Sequence, residues 1–489
     1  MVLGVLASAS SWLLAAAPAR ADGTTPPANA SAVSIVESIP TSNVWLAPQH
    51  ALTFTPGTPS YGLPVIGVED TQRYQVIRGF GGAMTDSSAW LIEDYLPQAA
   101  RTRLLDELFG AAGIHLDFVR VPIGASDFTA TGVPYSYDDM PAGETDPTLA
   151  HFSIRHDYAY IIPSLKQVLE INPSTELMAS PWTAPAWMKR NDSLSNIQNK
   201  GTLIGSYYGA WARYIVKFLQ AYAGAGVLIA AITPQNEPGN PTPYPGMNLS
   251  ADSLVNWTVR DLAPALSTAR LHTQVYGLDF GWGSSSLAYQ LAAGETAEFS
   301  GVAWHCYYGS PDVMAALHTE LPNVSQIVDE CSPGITPIPT SEVVISSLRD
   351  WASTVALWNF ALNRVGGPVE HPNQGCPGCY GLATIVPRAL GSVRLTPAYY
   401  ELGQASAAIE PGAVRVASNN FVGYDYLKPG VNFITPSVDD VAAVNPDGTR
   451  VLMAYNNGLA AASFAVEWDG EYFDYTLPGS ATVTFKWDA

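Results

Sequence analysis

Val227-Leu228-Ile229-Ala230-Ala231-Ile232-Thr233-Pro234-Gln235-Asn236-Glu237-Pro238-Gly239 is an apolar run that ends in an amide, a carboxylate and a chain break. The apolar half reads as a buried strand, and Pro238-Gly239 ends it. Helical spacing precedes it from Ser206 to Tyr222. Helical spacing follows it from Asp252 to Ser267, and then comes another apolar strand, Gln274 to Leu278. Strands that alternate with helices in this way build a parallel sheet from βα units.

The same alternation extends in both directions. Gln98 to Phe109 reads as a helix leading to a strand at Ile114 to Ile123, and Asp157 to Leu169 as a helix leading to Glu176–Ser180. Further on, Val302–His305, Gln326–Val328 and Ser353–Phe360 read as strands. Counting Ile77–Phe80 as the first makes eight, over roughly 300 residues, which is the size of a (β/α)8 TIM barrel. The α/β barrel is expected over 78–387. After its first strand, Gly79-Phe80-Gly81-Gly82-Ala83-Met84-Thr85-Asp86 brings backbone close and supplies an N-cap for the helix that follows. It lacks the lysine of a phosphate-binding loop.

The two ends of the chain have another pattern. Residues 33–77 hold short β-like pieces without helical partners. From about Arg388 helices are expected to cease. Segments such as Ala413–Ala417, Val441–Val444, Arg450–Tyr455, Ser463–Trp468 and Ala481–Trp487 alternate between turns. A β-sandwich is expected over 388–489, completed by strands from 33–77. Residues 1–21 read as an export signal cleaved after Ala21, although no Lys or Arg precedes the apolar run, and 22–32 as a linker. The mature chain is therefore expected outside the cell. No later segment reads as membrane-spanning, so no stable membrane insertion is expected.

The chain carries 43 acidic against 23 basic residues, a net charge of −20. It has no basic stripes, so nucleic acid is not an expected partner. Four cysteines suit an oxidising compartment. Cys376 and Cys379 frame a short loop that reads as a local disulfide, with a redox or metal-binding CxxC pair as the alternative. Cys306 and Cys331 would sit on neighbouring strands, either bonded or as two buried thiols.

Glu237 needs a partner if it takes part in glycoside cleavage, because that chemistry uses two carboxyl groups. Glu330 ends the apolar Ile327-Val328-Asp329 run, and Ser332-Pro333-Gly334 breaks the chain after it. It lies 93 residues beyond Glu237, about three βα units at about 30 residues each. Strands 4 and 7 of a closed barrel face one another across its mouth. The ordinary alternative is that Glu330 and Asp329 merely finish a strand.

Taken in order, these motifs resemble glycoside hydrolase family 30, whose members include the glucosylceramidases. The resemblance rests on Gly79–Asp86, Arg120-Val121-Pro122-Ile123-Gly124, Ser126-Asp127-Phe128, Ser180–Lys189, Asn236-Glu237-Pro238, His305-Cys306-Tyr307, Glu330-Cys331, Leu357–Asn363 and Gly366-Gly367-Pro368. It implies cleavage of β-glycosides with retention, with Glu237 as acid/base and Glu330 as nucleophile. Asp127, Trp182, Asn236, Tyr307 and Trp358 match positions around the first sugar. Arg120 matches an arginine behind the nucleophile. No metal or organic cofactor is implied. Residue chemistry agrees: Asp127 can accept two sugar hydroxyls, the tryptophans offer ring faces, Tyr307 can bond Glu330, and Arg120 supplies an opposite charge beside it. His305 reads as a structural rim residue.

The implied partner is a β-glucoside, either a glycolipid or a glucan. The loop after strand 8, with its Cys-Pro-Gly-Cys element, looks like that of bacterial members. Glucosylceramide or a simple β-glucoside ranks first as substrate, β-1,6-glucan close behind, and xylan last. A non-catalytic carbohydrate-binding barrel is the rival of another class, and both glutamates being present speaks against it. A metal-dependent hydrolase would need a histidine cluster such as HExxH, which the sequence lacks.

Overall fold

The computed structural model describes residues 32–288, 298–336, 338–369, 376, 378–386, 392–419 and 438–488. The expected export signal, the linker up to Ser31 and the expected barrel–sandwich junction at 387/388 lie outside the described residues.

Eight parallel strands close a barrel: β1 (Gly79–Ala83), β2 (Phe118–Ile123), β3 (Glu176–Pro181), β4 (Ala231–Ile232), β5 (Gln274–Gly281), β6 (Gly301–His305), β7 (Ser325–Glu330) and β8 (Ala352–Leu357). β8 returns to pair with β1. β4 is shorter than the Val227–Ile232 run suggests. Its ladder ends where Thr233 donates to the Ala179 carbonyl at 3.0 Å, because Pro234 has no N–H to continue it. β1 crosses close to β2. Gly79 has φ +146°, and a Cβ there would fall 1.7 Å from Asp117 Oδ1. Beyond β1, Thr85 caps the helix Asp86–Trp90 by accepting from the Ser88 amide, as the sequence suggested.

The barrel interior is layered by the two-residue period of its strands. Phe118, Met178, Ala231, Tyr276, Ala303, Ile327 and Ala356, one from each of β2 to β8, form a buried apolar floor. Two residues further along, Arg120, Ser180, Thr233, His305, Asp329 and Trp358 form the next layer, also buried. β5 breaks the count. Leu278 and Asp279 both take left-handed backbone, φ 69° and 55°, and the register against β6 shifts between Leu278 and Phe280. This bulge turns Asp279, rather than Leu278, into the polar layer.

Helices including Gln98–Phe109, Ile161–Ile171, Tyr208–Gly224 and Thr340–Arg349 cover the barrel. One further helix corrects the expectation that helices cease at Arg388. Pro397–Ser406 is helical, with Pro397 in its first turn, where the missing N–H costs nothing. It follows β8 and supplies the helix of the eighth βα unit.

The sandwich interleaves both ends of the chain. Ala32–Ile39 pairs antiparallel with Thr482–Trp487, setting Val36 opposite Thr484. Ala32, expected in the linker, already opens this strand opposite Thr53. Val65–Val76 pairs with Val414–Ser418 on one side and Ala462–Trp468 on the other. Each of the five C-terminal segments read from sequence falls on a strand, and Glu471–Leu477 is an additional one. The two parts are bonded together: Gln404 on the last barrel helix lies 2.7 Å from both Ser38 Oγ and Thr484 Oγ1, and Arg349 donates to the Asp440 carbonyl at 2.9 Å. No helix among the described residues is long and apolar enough to cross a membrane.

Candidate active site

At the mouth of the barrel, Glu237 follows β4 and Glu330 ends β7. One carboxylate oxygen of each lies within 4.8 Å of the other. Glu237 sits in left-handed backbone, φ 43°, a conformation a non-glycine residue holds only when its surroundings fix it. Its amide donates to the Asp279 carbonyl at 2.9 Å. Its Oε2 accepts from Asn240 Nδ2 at 2.5 Å, and its Oε1 lies 3.1 Å from His305 Nδ1. Glu330 accepts from the Tyr307 hydroxyl at 2.8 Å and pairs through its other oxygen with Arg120.

Arg120 is the hub of the layer beneath. It is fully buried. Its guanidinium contacts Glu330, Asp279 at 2.8 Å and Asp329 at 3.0 Å. It also donates to Asn236 Oδ1 at 2.8 Å, which leaves the Asn236 NH2 as the amide group available to the cavity. The guanidinium carbon lies 4.9 Å from the Trp182 ring centre and 5.5 Å from that of Trp358, which stack on each other at 5.1 Å.

Electrostatics sort the buried acids. Burial opposes charge on Asp279, but Arg120 and His305 outweigh it and hold its carboxyl well below the usual range. Asp329 is pushed well above that range, by burial first and by Asp279 second. Burial works against a charged His305. The carboxylates of Glu330, Asp279 and Glu237 around it prevail and lift the imidazole well above its ordinary value. Two groups of side chains here have metal-ligand spacing, Glu237–His305–Glu330 and Asp279–His305–Asp329. The donor set does not suit an ion: the Arg120 guanidinium already occupies Asp279 and Asp329, and both His305 nitrogens face carboxylates.

A cavity of about 430 Å³ lies above this layer and is lined by Asp127, Trp182, Asn236, Glu237, Tyr307, Glu330 and Trp358. All seven residues singled out from the sequence therefore share one cavity, with Arg120 beneath it. A larger hollow, about 880 Å³, lies on the sandwich beside Asp70 and Trp468. Its Asp70 is already paired with Arg450 at 2.6 Å, and the barrel mouth holds the apposed glutamates instead.

Sequence reading passed over Asp279, Asn240, Tyr244, Phe280 and Tyr308. Asp279 follows an apolar run as Glu237 and Glu330 do, but it lies inside β5 and no Pro-Gly break comes after it, so the rule that found the glutamates passes over it. Its inward aim comes from a bulge that no residue pattern announces. The two cysteine pairs are both bonded: Cys306 with Cys331, Cα atoms 5.2 Å apart, and Cys376 with Cys379.

Known proteins are similar to this chain along most of its length. An endo-1,6-β-D-glucanase of Neurospora crassa is 32% identical over 412 residues, 83% of each chain. The lysosomal acid glucosylceramidase of Mus musculus is 28% identical over 461 residues, 86% of this chain and 83% of that one. The solved structure of the endo-β1,6-glucanase BT3312 superposes with a TM-score of 0.80 at 25% identity, covering 94% of this chain and 99% of that one. The model of the glycosyl hydrolase family 30 TIM-barrel domain matches residues 77–404, and that of the family's β-sandwich domain matches 412–485. These matches fall where the barrel with its last helix and the C-terminal strands lie, so the chain belongs to glycosyl hydrolase family 30 and is an O-glycosyl hydrolase.

Proposed function

We propose that this enzyme cleaves β-1,6-linked glucan with retention of anomeric configuration, by double displacement. The observation that supports retention is the apposition of Glu237 and Glu330 within 4.8 Å. Retaining pairs stand about 5–5.5 Å apart, whereas inverting pairs leave room for a water at about 6.5–9.5 Å. Glu330, oriented by Tyr307 and Arg120, attacks the anomeric carbon and forms a glycosyl ester. Glu237 gives its proton to the departing oxygen. It then takes a proton from the water that cleaves the ester, which returns both side chains to their starting state. Asp127 and the Asn236 amide hold hydroxyls of the first sugar, and the Trp182–Trp358 stack walls that sugar's subsite.

The substrate reading departs from the order set by the sequence, which put glucosylceramide first. What supports the change is the relative at 32% identity, named an endo-1,6-β-D-glucanase, against 28% for the glucosylceramidase. The test is hydrolysis of a panel of β-1,6-glucan, glucosylceramide, glucuronoxylan and an aryl β-glucoside. The expected result is the highest kcat/KM on β-1,6-glucan with the β-anomer formed first by proton NMR. A preference for glucosylceramide would reverse the substrate assignment, and an initial α-anomer would end the mechanism. We also propose that the protein is exported with cleavage after Ala21. The support is the apolar leader and its Ala19-Arg20-Ala21 site, and N-terminal sequencing of the protein recovered from the medium tests it.

A further inference from the structure

Tyr308 follows Tyr307 after β6, and the cavity that contains Glu237 also touches it. It is 41% exposed, yet its ring is fixed on three sides. One side lies against the backbone of Gly281 and Gly283, where an added Cβ would come within 2.5 and 2.4 Å of ring carbons. Neither glycine has positive φ. Their small size, not their backbone freedom, is what the ring uses. An edge meets Phe280 at 5.7 Å and 86°. The hydroxyl lies 2.8 Å from Ser284 Oγ. The Gly283 amide donates to the Tyr308 carbonyl at 3.0 Å, which ties the loops after β5 and β6 together behind the ring. A solvent-exposed tyrosine ordinarily samples several rotamers. This one is held as a plate, and its exposed area borders the cavity.

We infer that Tyr308 is a specificity-determining platform for the leaving-group sugar, the glucosyl unit whose oxygen Glu237 protonates. The inference rests on the function proposed above, since the acid marks the leaving-group side. Tyr307 and Trp358 serve the first sugar, whereas Phe280 on β5 and Tyr308 just after β6 stand at the edge of the cavity, on the strands that carry Asp279 and His305 to Glu237. A glucosyl ring presents a face of C–H bonds that packs on an aromatic plane with its negative π-face. The need is greatest for a 1,6-linkage. Its exocyclic carbon adds a rotatable bond between the rings, so the leaving sugar must be ordered by contact and not by the linkage. A plate fixed in advance lowers the entropy of that ordering. Tyr308 touches no reacting atom in this reading and is not a catalytic residue.

The test compares a substrate with a leaving-group sugar and one without. Tyr308→Ala, Tyr308→Phe and Gly283→Ala are assayed on β-1,6-gluco-oligosaccharides and on β-gentiobiosyl fluoride, whose leaving group is fluoride. Tyr308→Ala is expected to lower kcat/KM on the oligosaccharides about tenfold or more, the scale of a good aromatic contact, and to leave the fluoride unchanged. Tyr308→Phe is expected to keep most of the oligosaccharide activity. Gly283→Ala, which displaces the ring without removing it, is expected to repeat the selective loss. An equal loss on both substrates, or no loss on either, overturns the platform while leaving the glycosidase reading intact. A wild-type protein inert toward both substrates overturns the two together.

Discussion

His305 Nδ1 lies 3.1 Å from Glu237 Oε1, and the same ring reaches Asp279 Oδ1 at 2.9 Å through Nε2. A protonated imidazole donates to both, so it joins the rim glutamate to the buried layer. His305→Gln has its donors on a single nitrogen and cannot replace both ring N–H groups, which face different carboxylates. The expected outcome is a fall in kcat of about ten- to a hundredfold, toward the lower end of what a positioned acid contributes, with KM little changed. Steady-state kinetics on β-1,6-gluco-oligosaccharides check it, and an unchanged kcat would remove His305 from the positioning of Glu237.

With Glu330 as the proposed nucleophile, Glu330→Gln puts a neutral amide in place of the attacking carboxylate and should abolish turnover on every β-glucoside. Glu237→Gln should act differently. Loss of the proton donor should cost about 10²–10⁴-fold on the oligosaccharides and much less on a substrate whose leaving group needs no proton. Added azide should then accelerate that variant and yield the β-glycosyl azide. A product of α configuration, or equal losses for all leaving groups, would contradict the assignment of Glu237.

Arg120 compensates Asp279 and Glu330 in a region closed to solvent. Arg120→Met leaves those buried carboxylates with the His305 imidazolium as their one adjacent cation, which is expected to cost about 3–5 kcal/mol. Arg120→Lys keeps the charge but not the planar fork that reaches Asn236 and Asp279 together. It should fold with a smaller loss and still show at least about a tenfold drop in kcat. Thermal denaturation beside the assay separates the two effects.

Stability should fall as pH rises. Burial lifts Asp117 to about 7 and Glu401 to about 7, and burial with Asp312 lifts Asp350 to about 7. Each has a folded-state pKa above its unfolded value of about 4. The folded state therefore holds extra protons across about pH 4 to 7, and the stability they confer below that window is lost through it. His305 acts in the same direction from about 6.5 upward, its imidazole being raised. Tm should be higher at pH 5 than at pH 8, and Asp117→Asn should remove part of the slope. A Tm that rises with pH would refute this.

The Cys306–Cys331 bond closes a separation of 25 residues and joins β6 to β7 just behind His305 and Glu330. The double Cys306→Ala, Cys331→Ala variant should lose about 3.5 kcal/mol of stability by the loop-closure scale, read as a lowered denaturation midpoint.

The strand-end carboxylates were legible because they combine two local signals, an apolar run and a chain break. The other residues that line the cavity with the two glutamates were legible through the family motifs. The barrel count was legible through alternation, yet its last helix was not. Thr396-Pro397 reads as a break, and only Ala398, Leu402 and Ala405 at helical spacing inside an otherwise β-rich region mark it. Asp279 escaped because its direction depends on two consecutive left-handed residues. Tyr308 escaped because its importance lies in what Gly281 and Gly283 lack, and only packing reveals that.

The pairing of Val36 with Thr484 has a consequence for biosynthesis. Ala32–Ile39 emerges from the ribosome before the barrel strands, and its partner Thr482–Trp487 only after them. Until Thr482–Trp487 has been made, one edge of Ala32–Ile39 stays open, a surface prone to wrong pairing. The sandwich therefore closes only around a barrel already synthesised. A nascent chain that stops short of residue 482 leaves Ala32–Ile39 without that partner, so loss of residues 482–487 should be felt in the strand at 32–39.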